Sequence, residues 1–383
     1  MTSAPIMNTY KRWPLEVISG RGSHVYDASG RAYLDLVGGI AVCSVGHSHP
    51  RVAQAIAEQA SKLIHVSNLY ETEPQKELAR QLATISGGKH SFFANSGAEA
   101  VECAIKLARK RGRREHGGDT RIVAATGSFH GRTLGALAAT GQPAKQAPFE
   151  PLPGGFTHVP YGSVDDVAGA MGPDVCAVLV EPIQDEAGVV VPEEGYLEGL
   201  KYVCDAWGAL LIVDEVQTGL GRTGRWFGYE HDEVRPDVLC LAKALGGGLP
   251  IGACLAEPDV ARHFEPGDHA TTFGGGPVQS NAALAVLDVI ADEGLVEASA
   301  KLGEAALHRL ATLPGCSARG RGLLIGIDLG RDAARSVADG CLARGVLVND
   351  VTASVVRIAP PLNIDENDLN EGLDILEEVV GEV

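Results

Sequence analysis

Apolar positions recur along this chain with more than one period. In 24–36, HVYDASGRAYLDL, apolar and polar residues alternate around an Asp-Ala-Ser-Gly turn at 27–30, which predicts a β-hairpin near the N-terminus. In 51–64, RVAQAIAEQASKLI, Val52, Ile56 and Leu63 fall on one helical face. From about residue 90, short apolar runs at 122–125, 175–180, 210–213, 238–241 and 251–255 alternate with helical or loop segments. Alternating β and α of this kind predicts a largely parallel sheet covered by helices. Past residue 280 the pattern changes. One long helical stretch is expected over roughly 279–312, then strands at 323–329, 345–348 and 355–362. A last helix is expected from near Asp365, with Leu369, Leu373, Leu376 and Val380 on one face. The later part predicts a second, smaller α/β domain.

Composition narrows the class. The chain has 383 residues, 45% hydrophobic and 21% charged, enough for a sizeable core and more than one structural unit. A net charge of −17 argues against nucleic acid and anionic membranes as partners. The basic stretch KLARKRGRR, 106–114, reads as the solvated end of a helix, where cations complement the macrodipole. Eight scattered cysteines form no CxxC motif and read as reduced core residues. The first residues lack the apolar core of a secretory signal, and no apolar run reaches the length of a membrane span. The expectation is a soluble, cytoplasmic protein.

Four features carry candidate chemistry. FFANSGAEAVECAIKLARK, 92–110, ends a strand and opens a helix; Ser96 and Glu99 have capping-box spacing, and the small Gly97 and Ala98 leave first-turn amides open to a phosphate. GLGRTG, 219–224, matches the glycine pattern of dinucleotide sites and raises a rival reading, a nicotinamide-dependent oxidoreductase. Its context argues against that reading: DEVQT intervenes after the strand and no helical period follows, so the loop is expected to shape a site. His47 and His49 in GHSHP lack an evident third ligand, so a structural loop is expected rather than a metal site. Finally, Asp214 ends one apolar run, and Lys243 stands among Leu241, Ala242, Ala244 and Leu245. A partly desolvated amine is a nucleophile or base. An amine, a carboxylate and a phosphate seat are together what pyridoxal phosphate requires.

With those residues in view, the chain resembles the class III (ω-amino-acid) aminotransferases of the fold-type I pyridoxal-phosphate enzymes. The resemblance runs nearly end to end, through GHSHP (46–50), NSGAEA (95–100), FHGRT (129–133), VEPIQDEAGV (180–189), VDEVQTGLGRTG (213–224), LAKALGGGLPIGA (241–253), TTFGGGP (271–277) and VRIAPPL (356–362). It implies an α/β fold-type I architecture: a mainly parallel central sheet in a large domain, 51–280, a small C-terminal domain, 281–383, and an N-terminal segment, 1–50, packing with the small one. It implies pyridoxal 5'-phosphate as cofactor, with Lys243 as the lysine that forms the imine, Asp214 pairing with the pyridine nitrogen and Gln217 near the ring hydroxyl. Gly97 and Ala98 would hold the phosphate, and Phe129 would stack on the ring. Thr272 would reach the neighbouring subunit's cofactor, so a homodimer is implied. Arg132 would bind a substrate carboxylate, and Glu186 with Arg357 would be the pair that rearranges between substrates.

Two residues depart from the family pattern: Asp185 where glycine is usual, and Gly276 where asparagine is common. Within the family, HVSNLYETEPQKELA (65–79) and NTYKRWPLEVISGRG (8–22) resemble the compact branch acting on N2-acetylornithine. That implies transfer of its terminal amine to 2-oxoglutarate, in arginine biosynthesis. Tyr10 stands where a tyrosine serves ornithine-specific relatives, and donors such as succinylornithine, ornithine, 4-aminobutyrate or acylated lysine are the alternatives.

Overall fold

The computed structural model describes residues 5–115 and 120–383. The chain opens with three strands, β1 (Val17–Arg21), β2 (His24–Asp27) and β3 (Ala32–Asp35), in an antiparallel meander. The predicted hairpin is β2–β3, closed by Asp27, whose carboxylate accepts from the Ser29 and Arg31 amides at 2.9 and 3.0 Å.

The central sheet follows: β4 (His90–Ala94), β5 (Arg121–Ala125), β6 (Phe156–Val159), β7 (Val175–Val180), β8 (Leu210–Asp214), β9 (Val238–Leu241) and β10 (Gly252–Ala256), in the order β4-β10-β9-β8-β7-β5-β6. Pairing is parallel from β9 through β6, and β10 is antiparallel to both its neighbours, so β4 runs with the majority. Apolar side chains alternate between two cores. Leu211, Val213, Leu239 and Leu241 join the larger core, while Leu210, Ile212, Val238 and Cys240 join the second. Both faces are covered, which is why Val175–Val180, Leu210–Val213 and Val238–Leu241 are apolar throughout. The helix Gly97–Glu115 seals the second face through Val101, Ile105 and Ala108, and Tyr196–Trp207 and Pro277–Asp292 pack on the other.

Five strands remain: β11 (Ser317–Arg321), β12 (Leu324–Asp328), β13 (Val346–Leu347), β14 (Asn349–Asp350) and β15 (Val355–Ile358). Four form an antiparallel sheet ordered β11-β12-β15-β14, while β13 joins β3 in parallel. The closing helix Glu366–Glu382 is capped by Asp365 and buries Leu369, Leu373, Leu376 and Val380, as its period predicts.

Three expectations need correction. The helical stretch over 279–312 is two helices, Pro277–Asp292 and Leu295–Leu310, broken where Gly294 turns left-handed at φ 62°. Leu63 lies beyond the helix Pro50–Lys62, in extended backbone and exposed. The GLGRTG loop is buried but does not line the main cleft. Its Arg222 is buried and donates to Leu323 O at 3.0 Å, Pro360 O at 2.6 Å and Ser44 Oγ at 3.3 Å, joining three distant segments. The basic stretch at 106–114 is at the end of its helix, with Lys110 and Arg114 paired to Asp268 and Glu265. The eight cysteines are unpaired.

Candidate active site

A cleft of about 480 Å³ opens at the C-terminal edge of the parallel strands. Every strand but the edge strand β6 delivers one piece of its wall: Asn95–Ala98 after β4, Phe129–Arg132 after β5, Glu181 after β7, Asp214 closing β8, Lys243 after β9, and Ile251 just before the reversed β10. Chain reversal outside these strand ends leaves side chains free to converge there.

Lys243 Nζ donates to Gln217 Oε1. Asp214 is 4% exposed; its Oδ1 accepts from the Val216 amide at 3.1 Å and its Oδ2 meets His130 Nδ1 at 2.8 Å. Glu181 is buried and accepts from the Phe129 amide at 3.1 Å. Burial, then Asp185 and Asp214, hold its carboxyl well above the usual carboxylate range. Ser96 Oγ accepts from the Glu99 amide at 3.2 Å, while the Glu99 carboxylate takes the Asn95 amide, so the capping box is closed one residue earlier than expected.

These residues fit pyridoxal 5'-phosphate. Gln217 Nε2 and His130 Nε2 are buried at the cleft without a partner among the described residues, which suits a polar ligand rather than a dry cavity. At Gly97 a Cβ would come within 2.9 Å of Val216, so only glycine leaves that end of the cleft open beside the first turn of the helix. Phe129 presents a ring to the same space, with Lys145 Nζ 4.8 Å and Arg132 Cζ 5.5 Å from its centroid.

The structure brings Lys243, Asp214, Gln217, Gly97, Ala98, Phe129 and Arg132 together around this cleft. Arg357 lies behind it, with its nearest carboxylate that of Asp185; Glu186 is 3.6 Å away and also 3.5 Å from Lys145. Thr272 is exposed outside the cleft, beside His65, Asn68 and Tyr70. Tyr10 is 69% exposed and does not line the cleft. His130 and Glu181 were not singled out from the sequence, although both stand in the motifs FHGRT and VEPIQDEAGV. Glu181 carries the same signal as Asp214, an acid at the end of an all-apolar strand. His47 and His49 are engaged by Asp35 and Glu293 at 2.7 and 3.3 Å, and no metal-binding cluster occurs among the described residues.

The chain is similar over nearly its whole length to known proteins. Residues 6–380 match the family model described as Aminotransferase class-III. A protein from Methanopyrus kandleri named acetylornithine aminotransferase is 49% identical over 372 residues, 96% of this chain and 94% of that one. One of the same name from Mycobacterium tuberculosis is 50% identical over 373 residues, covering 96% and 92%. Among solved structures, an ornithine aminotransferase from Toxoplasma gondii, described with partial occupancy of PLP at its active site, superposes with a TM-score of 0.95 at 33% identity over 99% and 92% of the two chains. An acetylornithine aminotransferase from Elizabethkingia anophelis gives 0.88 at 33% identity over 98% and 96%. The chain belongs to the class III aminotransferases, fold-type I enzymes that work with pyridoxal 5'-phosphate.

Proposed function

We propose that the chain transfers the terminal amine of N2-acetylornithine to 2-oxoglutarate, giving N-acetylglutamate 5-semialdehyde and glutamate. The observation that carries this is the full-length similarity, at 45–50% identity, to proteins named acetylornithine aminotransferase, joined to a cleft with one open guanidinium, Arg132. An acylated donor has no α-ammonium, so the site has only a carboxylate to neutralise, and Arg is suited to hold it bidentately.

In this reading the cofactor, when bound, supplies an electron sink for the carbon that carries the transferred nitrogen. Asp214 would keep a proton on the ring nitrogen by charge pairing, with His130 fixing the carboxylate's orientation. Gln217 would face the ring hydroxyl. The amides of Gly97 and Ala98 would receive the phosphate, and Phe129 would cover the ring. With the cofactor bound, the Lys243 amine would be the base that takes the proton from the donor carbon carrying the transferred nitrogen. Arg132 holds the donor's carboxylate, so the extended chain carries its distal amine inward.

We also propose a homodimer in which Thr272 reaches the neighbouring site. Exposed apolar residues around it support this: Phe273 at 60%, Leu69 at 85% and Tyr70 at 66%. The pairing of β13 with β3 supports a division into the N-terminal segment 1–50, the large domain 51–280 and the small domain 281–383. No described helix is long and apolar enough to cross a membrane, and with unpaired cysteines this supports a cytoplasmic location.

The test is steady-state turnover of acetylornithine, succinylornithine, ornithine, acetyl-lysine and 4-aminobutyrate with 2-oxoglutarate. Acetylornithine should give the highest kcat/KM. A higher value for ornithine or 4-aminobutyrate would overturn the donor assignment and leave the family intact.

A further inference from the structure

Arg357, in β15, is 2% exposed. Its Nη1 donates to Asp185 Oδ2 and its Nη2 to Asn349 Oδ1 at 2.7 Å. Glu186 stands back at 3.6 Å and is shared with Lys145 at 3.5 Å. Asp185 is itself 2% exposed and lines the cleft, whereas Arg357 does not. The cleft therefore meets this guanidinium only through a carboxylate already bound to it.

We propose that Asp185 is a specificity-determining residue that withholds Arg357 from the carboxylate of the amino acceptor. The proposal rests on the reading of the chain as a transaminase with an oxo-acid acceptor. An incoming carboxylate that engages Arg357 must first displace Asp185. That would leave a buried carboxylate without its partner, which is strongly unfavourable. Glu186, whose side chain is 29% exposed against 3% for Asp185, could be displaced at far lower cost because water can take it up. The position of the inner partner is what makes the pair a lock. Arg132 has no such restraint: it is exposed, lines the cleft, and has no carboxylate partner among the described residues. A donor with one carboxylate needs only Arg132. A dicarboxylate acceptor finds one guanidinium open and the other closed, so the burden falls on the acceptor half of the cycle alone.

Asp185→Asn keeps the shape and removes the charge; Asp185→Gly removes the side chain. Each is measured alone and with Arg357→Gln, with 2-oxoglutarate as varied acceptor and acetylornithine as varied donor. Both single variants should lower the KM for 2-oxoglutarate about fivefold or more relative to the KM for the donor. Adding Arg357→Gln should abolish that gain. An acceptor KM that is unchanged or raised in the folded single variants, or a gain that survives Arg357→Gln, overturns the inference alone. Should Asp185→Asn fail to fold, Asp185→Gly decides. Absence of turnover by the unmodified protein with any oxo acid overturns the functional reading and the inference with it.

Discussion

Asp214 is held by two partners, the Val216 amide and His130, and both bear on its proposed work. Asp214→Asn keeps the shape and loses the charge that keeps a ring proton in place. Losing one preorganised electrostatic contact of this kind costs about a hundred- to a thousandfold in rate. Rapid mixing of the loaded variant with donor should show that loss in the first half-reaction, with cofactor still attached to Lys243. His130→Phe should slow the same step by about ten- to a hundredfold, because a hydrogen bond to a charged group contributes about 1.5–3 kcal/mol. A rate within twofold of the parent would remove His130 from the site. At the phosphate end, Gly97→Ala drives a methyl onto Val216. It should weaken retention of pyridoxal phosphate, read as faster loss of the yellow colour on dialysis, while the folded content by circular dichroism holds.

These residues were unequally legible. Asp214 and Lys243 stood out because a charge at the end of an apolar run needs a partner. Burial alone would not have picked Lys243, since Lys89 is more deeply buried and is satisfied by Glu257. Which of two adjacent carboxylates meets Arg357 could not be read, because the choice between Asp185 and Glu186 depends on how the loop turns after β7.

Among elements, legibility followed burial. β7, β8 and β9 are buried at every position, so their apolar runs announced them. β6 lies at a sheet edge with three half-buried positions, and β11 reads Ser-Ala-Arg-Gly-Arg; neither carries a strand period. The glycine-rich loop 219–224 misled for a different reason. Its glycines serve close packing: at Gly224 a Cβ would meet the Ala300 backbone at 2.9 Å, and at Gly221 it would meet Leu362 at 3.0 Å. They bring Arg222 to three oxygen acceptors in the interior. Burial pulls this guanidinium down to about 9, a desolvation cost that the oxygens offset only in part, since Nε has no partner among the described residues. Arg222→Met removes the donors and leaves Leu323 O and Pro360 O without them. A loss of about 2–4 kcal/mol is expected in chemical denaturation of the cofactor-free protein. A midpoint equal to the parent's would show that the clamp contributes nothing net.

At the scale of the molecule, the N-terminal meander is fastened by a titrating contact. His47 Nε2 meets Asp35 Oδ2 at 2.7 Å, and the hydrogen bond to Asp35, aided by Cys43, raises the imidazole to about 10 from 6.5. A raised folded value means that the folded state binds the proton more tightly. The contact's stabilisation is therefore complete below about pH 6.5 and is lost as pH rises toward 10. The melting temperature of the parent should exceed that of His47→Gln most at pH 6, with the gap closing by pH 10. A constant gap would assign His47 a role in packing alone.

The comb of strand ends has a kinetic consequence. Apart from Val42, the cleft's wall comes from segments between residues 95 and 251, at the ends of β4, β5, β7, β8, β9 and β10. Parallel pairing needs long crossovers, and contacts between distant parts of a chain form slowly. Six of the seven strands of the central sheet carry part of the wall, so the capacity to capture the coenzyme should emerge only when the last of those six has docked. In refolding, helix content should recover first and the coenzyme's visible band afterwards, making colour a clock for completed assembly.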